Sequence, residues 1–229
     1  MADPEPKSSA APDPTEPAWR QRAVSRSLDA ARSRAEKRAK RFLDAAFELM
    51  DENGSTEFTI QEVIDRSQQS LRGFYQYFDG KDELLLALFE ETVRECIDDV
   101  RAVVEGETDP IVRLHAFVIR LHEWCEPPDK PRKRGRHNRR PVSEFMVQLA
   151  VGHPDRVKAA MEPVSRLLLD LVRDAQHAGT IDVDDPYRAA ALVQQTVMYS
   201  WFGNRLIQSP RQRLGAEETW AFCLRGLGG

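Results

Sequence analysis

The stretch FTIQEVIDRSQQSLRGFYQYFDGKDELLLALFEE, residues 58–91, decides the fold. Its first half carries the short-range signals of a helix start. Thr59 can cap the first turn, and Glu62 can reach back to it three residues later, which is a capping box. Phe58 before the cap and Val63 inside it form a hydrophobic staple, so a helix over about 60–66 is predicted. Gln68 and Gln69 make the turn that follows. Ser70 caps a second short helix, about 71–77. Asp79-Gly80 breaks that helix. Asp79, with Asp82 three residues on, then opens a long one whose first-turn acids suit the helix dipole.

In the second short helix Phe74 and Phe78 lie four apart and share a face. They are expected to pack on Phe42 and Leu49 of the preceding helix and on Val63 and Ile64. Leu71 either extends that stripe or turns outward. The other face carries Arg72, Gly73, Gln76 and Tyr77, with Tyr75 at its boundary. Arginine pairs with guanine edges or phosphate, glutamine pairs with adenine, a tyrosine hydroxyl suits phosphate, and glycine lets the backbone come close. An ordinary surface helix in a bundle is the plain alternative. A capped helix, a tight turn and a second short helix behind a longer one form a helix-turn-helix unit, which favours contact with DNA.

Upstream, AEKRAKRFLDAAFELMDENG reads as a helix, with Phe42, Ala45, Ala46 and Leu49 at three- and four-residue spacing and Asn53-Gly54 as its stop. A basic, weakly amphipathic segment precedes it over about 20–35. The formal net charge of the chain is −4, which taken alone argues against nucleic acid, but the distribution is uneven. Residues 20–41 hold nine Arg and Lys against two acids, a net of +7, and residues 128–141 hold seven against one, a net of +6. The remainder carries −17. Two basic islands on an acidic body can hold a polyanion locally. Arg26, Arg32, Arg34, Lys37 and Arg38 are therefore a candidate DNA arm, against the alternative of a solvated helix face. The loop PDKPRKRGRHNRRP is either flexible and solvated, or a second contact to DNA or to a nucleotide-bearing ligand such as an acyl-CoA. Residues 1–18, rich in Pro, Ala, Ser and acid, read as a disordered extension and not as a secretory signal.

Beyond residue 97 the chain reads as helices bounded by Pro, Gly or Asp, with no alternating strand pattern and no internal repeat. The fold class is all-α. No stretch approaches the roughly 18 apolar residues of a membrane span. Cys96, Cys125 and Cys223 are odd in number and far apart, which suits a reducing cytoplasm. His115 and His122 share a helix face, but no further ligand cluster accompanies them, so no metal is predicted. The chain carries no G-x-S-x-G, no P-loop and no H-E-x-x-H, so neither an enzyme nor a cofactor is expected. Phe117, Trp124, Phe145, Met146, Met161 and Met198 either line an apolar ligand cavity or form ordinary core. The segment AALVQQTVMYSWFGNRLI is apolar around much of its circumference and must be covered.

Residues 58–91 resemble the DNA-binding domain of TetR-type transcriptional regulators. The resemblance rests on Thr59, the run Tyr75-Gln76-Tyr77-Phe78, Lys81-Asp82-Glu83, and Leu84 to Leu88, and covers about residues 36–96. It implies that Thr59, Ser70, Tyr75, Tyr77 and Lys81 hold phosphates and that Leu71, Arg72, Gly73 and Gln76 lie where bases are contacted. One position departs: the family's turn glycine is replaced by Gln68, where a positive φ would cost on the order of 1 kcal/mol. After the extension (1–18) and the basic arm or helix (19–35) read from composition, the resemblance implies a three-helix helix-turn-helix domain (36–96) and a larger helical domain for effector binding and dimerisation (97–229). Its last two helices would form a four-helix dimer interface. The expected protein is a cytoplasmic homodimeric repressor, released from a palindromic double-stranded DNA operator by a small apolar or acyl-type effector. The rivals are a sequence-indifferent DNA-binding protein and a lipid-binding or enzymatic helical protein.

Overall fold

A computed structural model describes residues 18–53, 55–125, 148–207 and 212–229, without the side chains of residues 18, 20–22, 201 and 205. Among these residues the chain is helical and contains no strand. The order is α1 (Ala18–Asn53), α2 (Ile60–Ser67), α3 (Leu71–Phe74), α4 (Lys81–Glu105), α5 (Pro110–Cys125), α6 (Pro154–His177), α7 (Pro186–Leu206) and α8 (Ala216–Gly226). Residues 148–152 form a further helical turn ahead of α6. Residues 1–17 of the extension expected over 1–18, the basic loop 128–141, Phe145, Met146 and the Gly54 stop lie outside the described residues, while Ala18 is the first residue of α1.

Where the sequence suggested two segments at the N-terminus, α1 is one helix of 36 residues. Ala, Arg and Lys dominate residues 30–41, and nothing between them breaks the helix. Only its second half is packed: the first fully buried side chain is Phe42, followed by Ala45, Ala46, Leu49 and Met50. α2, α3 and the first turns of α4 close over this face with Val63, Phe74, Phe78, Leu84 and Leu85.

α4 is shared by both halves of the molecule. It packs on α1, and also on α5 and α6 of the body. Leu114, Phe117 and Leu121 of α5 and Val164, Leu168 and Val172 of α6 complete the core there. Arg156 adds a polar tie between the halves, its guanidinium lying 2.8 Å from both Glu83 and Glu90 of α4. At the far end, the buried Asn204 amide donates to the Leu214 carbonyl and accepts from the Leu214 N–H, both at 2.8 Å. That pair fixes the connection from α7 to α8 and sets the two last helices side by side.

Candidate nucleic-acid interface

The sequence signals for α2 are met in full. The Thr59 N–H donates to Glu62 Oε2 at 2.7 Å, and the Glu62 N–H donates to Thr59 Oγ1 at 3.2 Å. The Glu62 carboxyl is held below its usual range, chiefly by the Thr59 N–H, then by the Thr59 hydroxyl, and to a smaller extent by the Lys81 charge. Arg66, in the last turn of α2, reaches Glu52 at 2.7 Å and Glu48 at 3.3 Å on α1, which raises its pKa further and keeps it charged. The turn itself takes the strained option. Gln68 is the C-cap, at φ 54° and ψ 37°, and is the one non-glycine residue with positive φ among those described. Its backbone N–H donates to the Ile64 carbonyl, so the left-handed conformation closes the helix end.

Ser70 caps α3, accepting the Gly73 N–H at 3.0 Å. A Cβ on residue 73 would meet Ser70 Oγ at 3.1 Å, so the glycine leaves room for the cap. α3 is shorter than the 71–77 expected. It ends at Phe74, and residues 75–77 form a turn closed by Gln76 N–H to Gly73 O and Tyr77 N–H to Phe74 O. This changes the roles of the two tyrosines. Tyr75, placed by helical spacing at the boundary, is 53% exposed, whereas Tyr77, placed on the open face, is half-buried against Phe42 and Phe78. The tightened turn no longer advances 100° per residue, so the helical wheel misassigns them.

The anchoring face is as read. Phe74 is fully buried, with its ring edge-on to Phe42 at 5.5 Å, and Phe78 meets Phe42 edge-on at 6.2 Å. Leu71 is 51% exposed and so belongs to the open face, not to the core stripe. With it stand the exposed side chains of Arg72, Tyr75 and Gln76, and the exposed cap residues Thr59 and Ser70 lie at the starts of the two helices. Lys81 is half-buried at the start of α4, its ammonium 4.7 Å from the centre of the Phe58 ring. The expected cap of α4 is corrected: the N-cap is Gly80, with no side-chain bond, rather than Asp79. The candidate arm residues Arg26, Arg32, Arg34, Lys37 and Arg38 are exposed along the first half of α1.

In the body, Phe117, Trp124, Met161 and Met198 are core residues. Trp124 Nε1 donates to Asp99 at 2.7 Å. A cavity of about 600 Å³ opens elsewhere, between α7 and α8, lined by Thr196, Ser200, Leu214, Glu218, Thr219, Ala221, Phe222 and Arg225. Phe117, Trp124, Met161 and Met198 are not among the described residues that line it. Beside it Leu192, Tyr199, Phe202 and Leu206 are exposed on one face of α7, and Phe222 on α8. Their seven-, three- and four-residue spacing is the signal that identifies this stripe in the sequence. His115 stands 3.1 Å from Glu217 and against Trp220, so it ties α5 to α8. Among the described residues no three His, Cys, Asp or Glu side chains gather as a metal site.

These features define the class: an all-helical protein whose N-terminal unit is a helix-turn-helix with its anchoring aromatics inside and its polar face open. Residues 42–88 match the family described as bacterial regulatory proteins, tetR family. The match is confined to the N-terminal helix-turn-helix unit. The chain is 28% identical over 81 residues to the HTH-type transcriptional regulator BetI of Brucella canis, a segment covering 35% of this chain and 41% of BetI. The chain thus spans about two fifths of the curated relatives it matches. The fold extends further. FadR of Bacillus subtilis, solved with stearoyl-CoA, superposes with a TM-score of 0.60 at 16% identity, covering 83% of this chain and 97% of FadR. AibR, solved with isovaleryl coenzyme A and operator DNA, gives 0.58 at 19% identity, covering 83% of this chain and 98% of AibR.

Proposed function

We propose that this protein is a homodimeric, sequence-specific DNA-binding transcriptional regulator, a repressor whose grip on its operator is loosened by a small apolar or acyl-type molecule. One observation carries the reading: Phe74 and Phe78 are buried against Phe42 while Arg72, Tyr75 and Gln76 of the same short segment stand open. A helix whose apolar side is spent on anchoring and whose polar side holds an arginine and a glutamine is suited to base edges in the major groove. Thr59, Ser70, Tyr75, Tyr77 and Lys81 would sit at phosphates, and Leu71, Arg72, Gly73 and Gln76 at bases.

The exposed apolar stripe of α7, with Phe222 of α8, fits a second copy of the chain, since a contiguous apolar patch on such helices marks an interaction surface. A twofold pair of heads then reads two half-sites one helical turn or a multiple apart. BetI is named as a transcriptional regulator, and FadR and AibR were solved with acyl-CoA molecules, AibR also with operator DNA. These support the regulator reading and an acyl-type effector, taken up within the helical body in the cytoplasm. Effector and operator are coupled equilibria, so DNA must weaken the effector by the factor that the effector weakens DNA. Selection of bound duplexes from a random pool tests the proposal. A palindromic consensus is expected; retention of random duplex without preference would favour a sequence-indifferent DNA binder instead.

A further inference from the structure

We infer that the first half of α1 is a second DNA-contacting element, a rigid basic helix that grips phosphates outside the half-site read by α3. The inference rests on the regulator reading above. From Ala18 to Arg41 the helix runs about 36 Å at the usual rise, roughly one turn of B-form duplex. No described side chain in this section is buried. Arg26, Lys37, Arg38 and Arg41 make no ion pair among the described residues, while Arg32 is engaged with Glu36 at 2.8 Å.

The direction of the projection follows from what α1 touches. The Phe42 ring lies against Phe74, Tyr77 and Phe78, beside the recognition segment, whereas Glu48 and Glu52, further along α1, hold the end of α2. The helix therefore leaves the domain on the α3 side. Val24, Leu28, Ala31 and Ala35 continue the face that Ala39 and Phe42 turn to the domain, and the rest of the circumference is largely basic. So many like charges on a free helix repel one another, and a polyanion relieves that repulsion. An N-terminal extension of this kind adds affinity without adding sequence preference, because phosphates are the same at every step.

The test uses the full chain with Arg26→Gln, Arg34→Gln, Lys37→Gln and Arg38→Gln combined. All four sites are exposed, and far-UV circular dichroism confirms an intact body. Operator affinity is measured between about 50 and 200 mM salt on two duplexes, one ending at the selected consensus and one carrying about one extra turn on each side. On the flanked duplex the variant should bind about tenfold or more weaker at the lower salt, with a slope less steep by about 2 to 4. On the trimmed duplex the two proteins should differ far less, and the selected consensus should be unchanged. Equal slopes on the flanked duplex overturn the inference and leave the regulator reading standing. Equal slopes with loss of binding to phosphatidylserine vesicles also overturn it, assigning the helix to an anionic membrane surface. If the unaltered protein selects no consensus, the regulator reading itself falls, and this inference with it.

Discussion

Arg156, at the start of α6, holds Glu83, in the first turn of α4, at 2.8 Å, and its other amino group holds Glu90 two helical turns further on. Glu83 is two residues from Lys81, where the helix-turn-helix unit hands over to the body. Both carboxylates raise the Arg156 pKa, the hydrogen bond to Glu83 most, so the guanidinium stays charged. The fork sits partly in solvent, so its contribution to global stability is expected to be small, about 1 kcal/mol or less. Its larger effect should be local. Arg156→Ala should speed hydrogen exchange of the amides in the first turns of α4 while lowering the thermal midpoint by only a few degrees. Unchanged exchange there would show that apolar packing alone holds α4 to the body.

Two substitutions on α3 separate anchoring from contact. Phe74→Ala removes a fully buried ring that meets Phe42 edge-on, and should destabilise the helix-turn-helix by about 3–5 kcal/mol. Arg72→Ala removes an exposed side chain and should change stability by no more than about 0.5 kcal/mol. The same Arg72→Ala should cost about 1–3 kcal/mol in operator binding. Denaturant titration and a binding isotherm on each variant decide it. A destabilising Arg72→Ala would mean that this face is structural.

Gln68 holds a left-handed conformation that glycine adopts without a Cβ clash. Gln68→Gly should therefore raise stability by about 0.5–1 kcal/mol, after the unfolded-state entropy of glycine is offset. A β-branched substitution, Gln68→Val, should lower it. Chemical denaturation midpoints of the three proteins give the order, and a Gly variant less stable than the parent would contradict the account of this turn.

The capping box makes α2 sensitive to acid. The folded Glu62 carboxyl lies below its ordinary value of 4.5, first through the Thr59 N–H. A depressed carboxylate contributes stability that is present above the unfolded pKa and lost as pH falls through the folded one. The stability difference between the parent and Glu62→Gln should thus be largest near neutral pH and shrink as falling pH protonates the folded carboxyl. A difference that persists undiminished in acid would assign the effect to packing.

Local signals were the legible ones. The Thr59–Glu62 box and the Ser70 cap each involve residues three apart, so sequence spacing determines them before any tertiary contact forms. The Phe42–Phe74–Phe78 cluster was legible because helical periodicity marks a buried face. Periodicity failed where the helix stopped: α3 ends at Phe74, so Tyr75 and Tyr77 exchanged their expected exposures. It also marks burial without distinguishing solid core from the wall of a void, so for Phe117, Trp124, Met161 and Met198 the sequence left both readings open, and all four are buried. The cavity between α7 and α8 mixes the polar Thr196, Ser200, Glu218, Thr219 and Arg225 with Leu214, Ala221 and Phe222, so a search for apolar periodicity does not find it. The N-cap at Gly80 escaped notice because glycine caps through its backbone alone, whereas Asp79 offers the more familiar side chain.

The most direct measurement compares the consensus selected from random duplex by the unaltered protein with that selected by Arg72→Ala and by Gln76→Ala. The open face of α3 reading base edges predicts a palindrome in all three, with preference lost in each variant at the symmetric pair of positions that its missing side chain touched. An identical consensus from all three proteins would contradict it.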